Sequence, residues 1–280
     1  MFRYKTLPTV VIGIVTLLSM TVVQAADAFA SPAFAQRWRH DEQIAPNFWG
    51  PLATAHPGQY EQYLGVATCP HAITCHVAPV EPTAERRLVQ YFDKGRMELT
   101  IATDGPTVTA GLLVREMITG RVQISDTQFV DQSPAAVPVA GDADNSFPLY
   151  RDLGGGAAMA ATASVGTPVQ LLLTPTGAST TMMFTTDPQT IGAERDGQTD
   201  HALPRAFAAF RARVGVESVG LAVTEPFWAD VKIAGKPQRI MIQAFERRVL
   251  TYNPANPPAF QVEFGNVGQQ YYTWRAIAEV

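Results

Sequence analysis

Two stretches of the chain, VQYFDKGRMEL at Val89–Leu99 and IQAFERRVLTY at Ile242–Tyr252, follow the same pattern. Both contain Gln-x-Phe-acid-base, which begins at Gln90 in the first stretch and at Gln243 in the second. A Val-x-x-Gly pattern follows each, and its glycine lies 21 residues after Gln90 and 22 residues after Gln243. Similar motifs at matched spacing are the signature of a repeated structural unit. The sequence therefore predicts two repeats.

The two copies differ in length ahead of this pattern. Glu61, in Glu-Gln-Tyr, lies 29 residues before Gln90, whereas Glu225, in Glu-Pro-Phe, lies 18 residues before Gln243. The longer spacing of the first copy contains the segment CPHAITCH. We interpret that segment as an insertion into the first copy.

Each copy is predicted to form a short β-hairpin. Neither face of VQYFDKGRMEL is wholly apolar, so alternation alone is ambiguous, but Gly95 among charged residues indicates a tight turn or bulge. We therefore expect Phe92 and Met97 to be buried and the charged residues to lie at the turn. In the second copy the strands flank Glu246-Arg247-Arg248, and the Asn-Pro-Ala-Asn-Pro-Pro that follows predicts a loop.

A helix is predicted ahead of each hairpin. In the first copy Ser-Pro at 31–32 is suited to start a helix, and Phe34 and Trp38 lie four residues apart on one face. In the second copy Asp200 is predicted to cap a helix whose apolar residues continue at helical spacing until Gly215.

The expected fold class is α+β and β-rich, with two repeats of a short helix plus β-hairpins flanking a small β element. The β element follows from two β-rich runs in the segment between the copies. The predicted organisation is a signal peptide at 1–25, repeat copy one with the Cys69–Cys75 loop insertion at 26–130, a Pro/Gly-rich linker and β element at 131–198, and repeat copy two at 199–280.

The first 25 residues have the layout of a secretory signal. Arg3 and Lys5 precede the apolar run Val10–Val23, and Val-Gln-Ala then provides small residues for cleavage after Ala25. An uncleaved membrane anchor is the alternative, but this apolar run is shorter than the roughly 20 residues that a bilayer requires. We expect a secreted, extracellular protein of the bacterial cell surface.

Charge and composition restrict the partners. Without Arg3 and Lys5, the 21 basic residues become 19 against 25 acidic ones, a net charge of −6. Binding nucleic acid requires a concentrated basic face, so no nucleic-acid partner is expected. The mature chain has no stretch long enough to span a membrane. It also has no Gly-x-Gly-x-x-Gly or Walker pattern, and no cofactor is predicted.

The only cysteines of the chain, Cys69 and Cys75, lie six residues apart. In an oxidising compartment such a pair is predicted to form a disulfide that closes a short loop. His71 and His76 leave a metal site open as an alternative, although their spacing matches no standard zinc pattern.

The motifs of the second copy resemble a repeat family of secreted bacterial proteins. That family has a TGH…F helix, a G-x-P-I-T/S-E turn, a VQYFERARFEYHP stretch and a GLLG-x-E segment. The corresponding residues here are Thr199–His201, Gly220–Glu225, Gln243–Arg247 and, in the first copy, Gly111–Glu116. The first copy lacks the T-G-H start. The repeats are similar in layout to Leu-Gly-Phe-Pro cell-wall repeats, which implies an exported, cell-wall-associated role without assigned catalysis.

Aromatic residues are the candidate binding residues: Trp49, Tyr63, Trp228, Tyr271, Tyr272 and Trp274. If exposed, they would stack on the sugars of a cell-wall glycan. If buried, they would form the core of each repeat.

No catalytic residue is predicted, and the expected function is a non-catalytic module that binds a cell-wall glycan or another surface protein. The alternative is an exported hydrolase in which Glu98, Asp93 and Glu246 serve as acid and base. The same carboxylates are also explained as turn charges and ion pairs, which contribute about 0–1 kcal/mol when exposed.

A histidine and a pair of aspartates are further candidates for a catalytic site and a calcium site. His201 is a candidate catalytic histidine beside the predicted helix start, although histidines there more often bind backbone or face solvent. Asp142 and Asp144 alternate as in a calcium loop, but the glycine and distal glutamate of an EF-hand are missing.

Overall fold

The computed structural model describes residues 29–57, 59–62, 86–102, 105–124, 129–155, 163–175, 179–181 and 186–277. The predicted α+β class is confirmed over these residues. The predicted signal peptide, the candidate Tyr63 and the cysteine pair Cys69 and Cys75 lie outside them.

The first repeat consists of a helix, a four-stranded sheet and a closing helix. Its elements are α1 (Pro32–Ile44), β1 (Gln59–Gln62), β2 (Arg86–Phe92), β3 (Gly95–Ala102), β4 (Gly105–Ala110) and α2 (Leu113–Thr119). The sheet order is β1-β2-β3-β4, and every neighbouring pair is antiparallel.

Short strands connect the two repeats. They are β5 (Arg121–Gln123), β6 (Phe129–Asp131), β7 (Leu171–Leu173), β8 (Ser179–Thr181), β9 (Gly192–Arg195) and β10 (Ala202–Pro204). They pair antiparallel as β5–β6, β7–β8 and β9–β10. The strands β7 and β8 lie in the two β-rich runs from which a small β element was predicted between the copies.

The second repeat has the same order of elements as the first, apart from the additional short helix α4. Its elements are α3 (Arg205–Val214), α4 (Val216–Val219), β11 (Phe227–Ile233), β12 (Lys236–Ala244), β13 (Val249–Tyr252), β14 (Val262–Phe264) and α5 (Val267–Ile277). The strands β11 to β14 form an antiparallel meander, which β7 extends by running parallel to β11. The closing helices α2 and α5 were not predicted.

Both hairpins form in the same register, as expected of copies. Gln90 pairs with Met97, and Gln243 pairs with Leu250. Met97 and Phe92 are fully buried, as predicted. Asp93 and Lys94 form the first turn, but the prediction is wrong for Arg96 and Glu98, which lie in β3 and are buried.

Both faces of each meander are buried, because the two repeats share two hydrophobic cores. In β2, Val89 and Tyr91 face the first core, whereas Leu88 and Phe92 face the second. The first core also contains residues of α2 and α5, and the second contains residues of α1 and α3. A strand that is covered on both faces loses the alternation of polar and apolar residues, which explains the ambiguous pattern.

One helix start was predicted correctly and the other was not. The Ser31 side chain accepts a hydrogen bond from the Ala33 N–H of α1 at 3.2 Å, so it is the expected N-cap. The prediction that Asp200 caps α3 is wrong, because Pro204 precedes that helix and β10 lies between them. Asp200 instead lies in the turn between β9 and β10 with a φ of 60°, a conformation that aspartate tolerates.

Residues 132–153, which we call the strap, pack against both closing helices. The strap contributes Ala135, Val139 and Tyr150 to the first core. Its Ala135 N–H donates to the carbonyl of Met117 in α2 at 2.8 Å, and its Ser133 carbonyl accepts from the Trp274 indole of α5 at 3.2 Å. This part of the Pro/Gly-rich segment is therefore built into the fold. Within the described ranges, no helix is both long and apolar enough to cross a bilayer.

Replacement of Phe92 with alanine is expected to lower the free energy of unfolding by about 3–5 kcal/mol, because the ring is fully buried in the second core. Phe260, which is 53% exposed, provides the matched control, and Phe260→Ala should change stability by less than about 0.5 kcal/mol. Urea denaturation measures both. Equal midpoints for the two variants would contradict the shared core.

Candidate functional site

The turns of the two Gln-x-Phe-acid-base hairpins each contact the closing helix of the other repeat. The carbonyl of Asp93 accepts from the N–H groups of Gly268 at 3.0 Å and Gln269 at 3.3 Å, in the first turn of α5. The carbonyl of Glu246 accepts from the N–H of Arg115 at 3.2 Å, in the first turn of α2. The first N–H groups of a helix have no partner within the helix. Each hairpin therefore caps a helix of the other repeat.

The acidic side chains of the turns reinforce these caps. Asp93 Oδ1 accepts from Gln269 Nε2 at 2.7 Å, and Glu246 Oε1 lies 3.3 Å from Arg115 Nη1. A carboxylate near a helix N-terminus also interacts favourably with the helix dipole. The acidic position of the motif thus has the same role in both repeats.

The basic residues of the turns contact the end of the other repeat's last strand. Lys94 Nζ donates to the carbonyl of Phe264 at 2.8 Å, and Arg247 Nη1 donates to the carbonyl of Ala110. Each repeat thus makes equivalent contacts with the other, as in an isologous interface. We call the four turn residues Asp93, Lys94, Glu246 and Arg247, together with these partners, the repeat junction.

Two glycines permit the junction to close: Gly50, which sequence reasoning did not single out, and Gly220, the first residue of the Gly220–Glu225 motif. Gly50 has a φ of 93°, and a Cβ there would lie 2.6 Å from the Cβ of Asp93. Gly220 has a φ of 88°, and a Cβ there would lie 2.8 Å from the Cβ of Glu246. Only glycine combines this backbone conformation with such a close approach. Gly50 lies 43 residues before Asp93 and Gly220 lies 26 residues before Glu246, so alignment of the two turns does not bring the glycines into register.

The motif glutamines hold each hairpin to the segments ahead of it. Gln90 Oε1 accepts from the N–H of Ala30 at 3.0 Å, just before α1. Gln243 Nε2 donates to the carbonyls of Ala202 and Thr224, both at 2.9 Å. The glutamine that begins the motif therefore has a structural role in both repeats.

His201 belongs to a buried pair in the second repeat. Its Nδ1 lies 3.3 Å from Glu225 Oε1, and Glu225 Oε2 also accepts from the N–H of Ala202 at 3.4 Å. Both side chains are buried. The two residues that match the family's TGH and T/S-E positions are thus partners of one another.

A buried group of charges lies beside the junction in the first repeat. Glu98 accepts from Arg96 Nε at 2.9 Å and from Arg87 Nη1 at 2.8 Å. Burial by itself raises the pKa of Glu98, but the charges and hydrogen bonds of the two guanidinium groups outweigh it, so the pKa lies below its ordinary value. Glu116 accepts from the Tyr271 hydroxyl of α5 in the same region, which links this group to the second repeat.

The three carboxylates of the alternative hydrolase thus all have structural partners. Asp93 and Glu246 hold opposite closing helices, and Glu98 is paired with two arginines. Of the described residues, no group of three or more His, Cys, Asp or Glu side chains is arranged to hold a metal ion.

Four of the six candidate aromatic residues are buried. Trp49, Trp228, Tyr271 and Trp274 are at most 5% exposed. The indole of Trp49 donates to Asp41 Oδ2 at 2.8 Å, and that of Trp228 donates to the carbonyl of Val169 at 2.9 Å. A buried ring has no face available to a sugar, so these four form part of the cores. They also lie in different cores and do not form one surface.

Tyr272 is the one candidate of the described set that reaches the surface in part. Its ring stacks on that of His56, with centroids 3.9 Å apart and an interplanar angle of 18°. Burial lowers the pKa of His56, and the charge of Asp93 opposes this effect. Two elements of different repeats therefore meet at this ring pair.

The alternating aspartates Asp142 and Asp144 fasten the strap to the second repeat. The Asp142 carboxylate accepts from the N–H groups of Ala234 at 2.9 Å and Gly235 at 2.8 Å, in the turn between β11 and β12. Asp144 lies 2.6 Å from Lys232 Nζ. Their contacts explain the alternation without a calcium ion.

The prediction that Arg248 is a turn charge beside Glu246 and Arg247 is wrong, because this residue follows the second turn and points into the core. Its side chain is fully buried, and burial lowers the pKa of its guanidinium to about 9. The guanidinium carbon lies 4.3 Å from the ring centroid of Trp49, 5.1 Å from that of Phe264 and 5.6 Å from that of Phe48. We call these three rings the aromatic cage. In the sequence, the available signal for this residue was that Arg248 stands at the position where the first copy has Gly95.

No family model, curated protein or solved structure matches the chain.

A double-mutant cycle tests the cross-repeat cap. Asp93→Ala and Gln269→Ala are expected to show an interaction energy of about 0.5–1.5 kcal/mol in urea denaturation, because the two side chains share a hydrogen bond. The matched control combines Asp93→Ala with Arg115→Ala, whose partner is Glu246, and should be additive within about 0.5 kcal/mol. Additivity in the first cycle would count against the cap.

Glu98→Gln is expected to destabilise the chain by about 3–5 kcal/mol at neutral pH, because it removes a buried negative charge that pairs with two largely buried arginines. Since the folded pKa of Glu98 is lowered, its contribution is present above the ordinary pKa of about 4.3 and is lost as the pH falls through the folded value. The stability difference between wild type and variant should therefore shrink on acidification. Urea denaturation over a pH series measures it.

The exposed Glu194 on β9 offers a matched control for this experiment. Glu194→Gln should change stability by less than about 0.5 kcal/mol at any pH. A difference between wild type and Glu98→Gln that stays constant or grows on acidification would disprove the assigned pKa direction.

Proposed function

We propose that this chain is a secreted, non-catalytic module of the bacterial cell surface that binds cell-wall glycan, with another surface protein as the second possible partner. Export rests on the signal layout of residues 1–25. The cell-wall association rests on the resemblance of the repeat motifs to those of secreted bacterial proteins.

One observation carries the non-catalytic part of the proposal: the polar residues of the repeat motif are used to join the repeats. Asp93 and Glu246 cap helices, Lys94 and Arg247 bind strand-end carbonyls, and Gln243 holds the backbone ahead of α3. A function is argued from a site rather than from a fold. Here the charged groups of the motif all make contacts between the two repeats, so the motif is explained by its role in folding.

The outer loops are the best candidates for the binding surface, because loops on a rigid scaffold commonly carry recognition. The loop of residues 253–260 follows β13 and contains three prolines before Phe260, which is 53% exposed. The exposed ring of Phe260 is suited to stack on a sugar face in a way that the buried cage rings are not. We therefore assign the first contact to this loop.

The mature protein is expected to co-sediment with purified peptidoglycan at low salt and to remain bound at about 0.15 M salt, where surface charge attraction is largely screened. Phe260→Ala should reduce retention at least about threefold, in line with the contribution of one stacking ring. Phe129→Ala is the matched control, because Phe129 is also exposed, at 43%, but lies on β6.

The same experiment separates the other possibilities. Absence of retention at low salt would overturn glycan binding and leave a surface protein as the partner. Release of soluble sugar fragments during the incubation would favour the exported carboxylate-dependent hydrolase.

A further inference from the structure

The reciprocity of the repeat junction raises a question of partner choice. Each repeat offers the other a hairpin turn, a closing helix and the end of a fourth strand. Because both repeats offer the same set, these contacts do not by themselves distinguish an unlike pair within one chain from a like pair between two chains. A selective interaction has to come from positions where the repeats differ.

Such a difference lies where the two hairpins face each other. Gly95 and Arg248 both follow the turn by one position, since Gly95 pairs with Phe92 and the carbonyl of Arg248 accepts from the N–H of Phe245. Arg248 Nη1 donates to the carbonyl of Lys94, next to Gly95. A Cβ on Gly95 would overlap the guanidinium of Arg248. The absence of a side chain in one repeat therefore makes room for the arginine of the other.

The aromatic cage exists only on one side of the junction. The N–H of Lys94 donates to the carbonyl of Trp49, and the N–H of Arg247 donates to that of Val219, both at 3.1 Å, so Trp49 and Val219 occupy equivalent positions. By the same alignment Ser218 stands where the first repeat has Phe48. Two of the three cage rings thus belong to the first repeat and have no aromatic equivalent in the second.

The cage also accounts for a buried arginine on which the Asp41 carboxylate acts through its charge, without a direct ion pair among the contacts described. Arg248 Nε and Nη2 have no hydrogen-bond partner among the residues that the structure describes. A guanidinium over the faces of several aromatic rings is stabilised by cation–π attraction, which is stronger when the charge is desolvated. The aromatic cage is therefore suited to bind a cationic side chain of the second repeat.

We propose that Arg248, which lies in the cage opposite Gly95, selects the pairing of unlike repeats over that of like repeats. The covalent link between the repeats then favours the unlike pair within one chain. A pair of second repeats would place Arg248 against its own copy, with like charges in contact and no Trp49 or Phe48 to receive them. A pair of first repeats would place Gly95 against Gly95 and leave Trp49 and Phe48 without an arginine to receive. Only the unlike pair fills the cage with a single cation.

The test uses the full chain with two substitutions at this position. Arg248→Gly removes the charge and the bulk, and Arg248→Met removes the charge but retains an unbranched side chain that packs against aromatic rings. Wild type is expected to be monomeric by light scattering at every concentration. Both variants should keep native near-ultraviolet circular dichroism, unfold at a lower temperature and form dimers whose fraction rises with concentration.

Arg239→Gly is the matched control, because Arg239 is a partly exposed arginine of the same repeat that pairs with Asp230 on the surface. It should remain monomeric. A folded Arg248→Met chain that stays monomeric at the highest soluble concentration would overturn the proposal. Failure of both Arg248 variants to fold would overturn it as well, since a residue that only selects the partner is dispensable for folding.

Discussion

The fold depends on the exchange of helix caps between the two repeats. Neither α2 nor α5 begins with a side-chain cap of its own repeat among the contacts described, and each receives a carbonyl from the opposite hairpin turn. Buried or half-buried backbone groups without partners are costly, so the helices are completed only when both repeats are present. The remaining contacts of the junction, which include those of Lys94 and the close approach at Gly220, hold the two repeats in the same arrangement.

The shared cores follow from this exchange. Once each closing helix lies on the opposite hairpin, side chains of both repeats alternate through the same two interiors. The charges of Arg96, Glu98 and Glu116 are tolerated inside because they are paired with one another and with the Tyr271 hydroxyl. Buried polar groups of this kind favour one arrangement of the repeats over others that the same apolar surfaces would permit.

Local signals explain which elements were predictable. The hairpins followed from the repeated Gln-x-Phe-acid-base spacing, and α1 followed from Ser31, because their determinants lie within a few residues. The closing helices gave no such signal, since the group that caps α2 lies 131 residues away from Arg115. The sequence does not predict whether Trp49 and Trp228 are buried, for a similar reason. Burial of both sheet faces depends on the other repeat, and no window of sequence contains that information.

The interleaving of the repeats also has a consequence for the order in which the chain acquires its structure. Synthesis proceeds from the N-terminus, so the hairpin turn at Asp93 is made long before its partners at Gly268 and Gln269. The first core likewise lacks Val267, Tyr271 and Trp274 until the last helix is made. The nascent first repeat therefore stays incomplete until α5 has been made, and its native structure arises in a concerted step dominated by distant contacts.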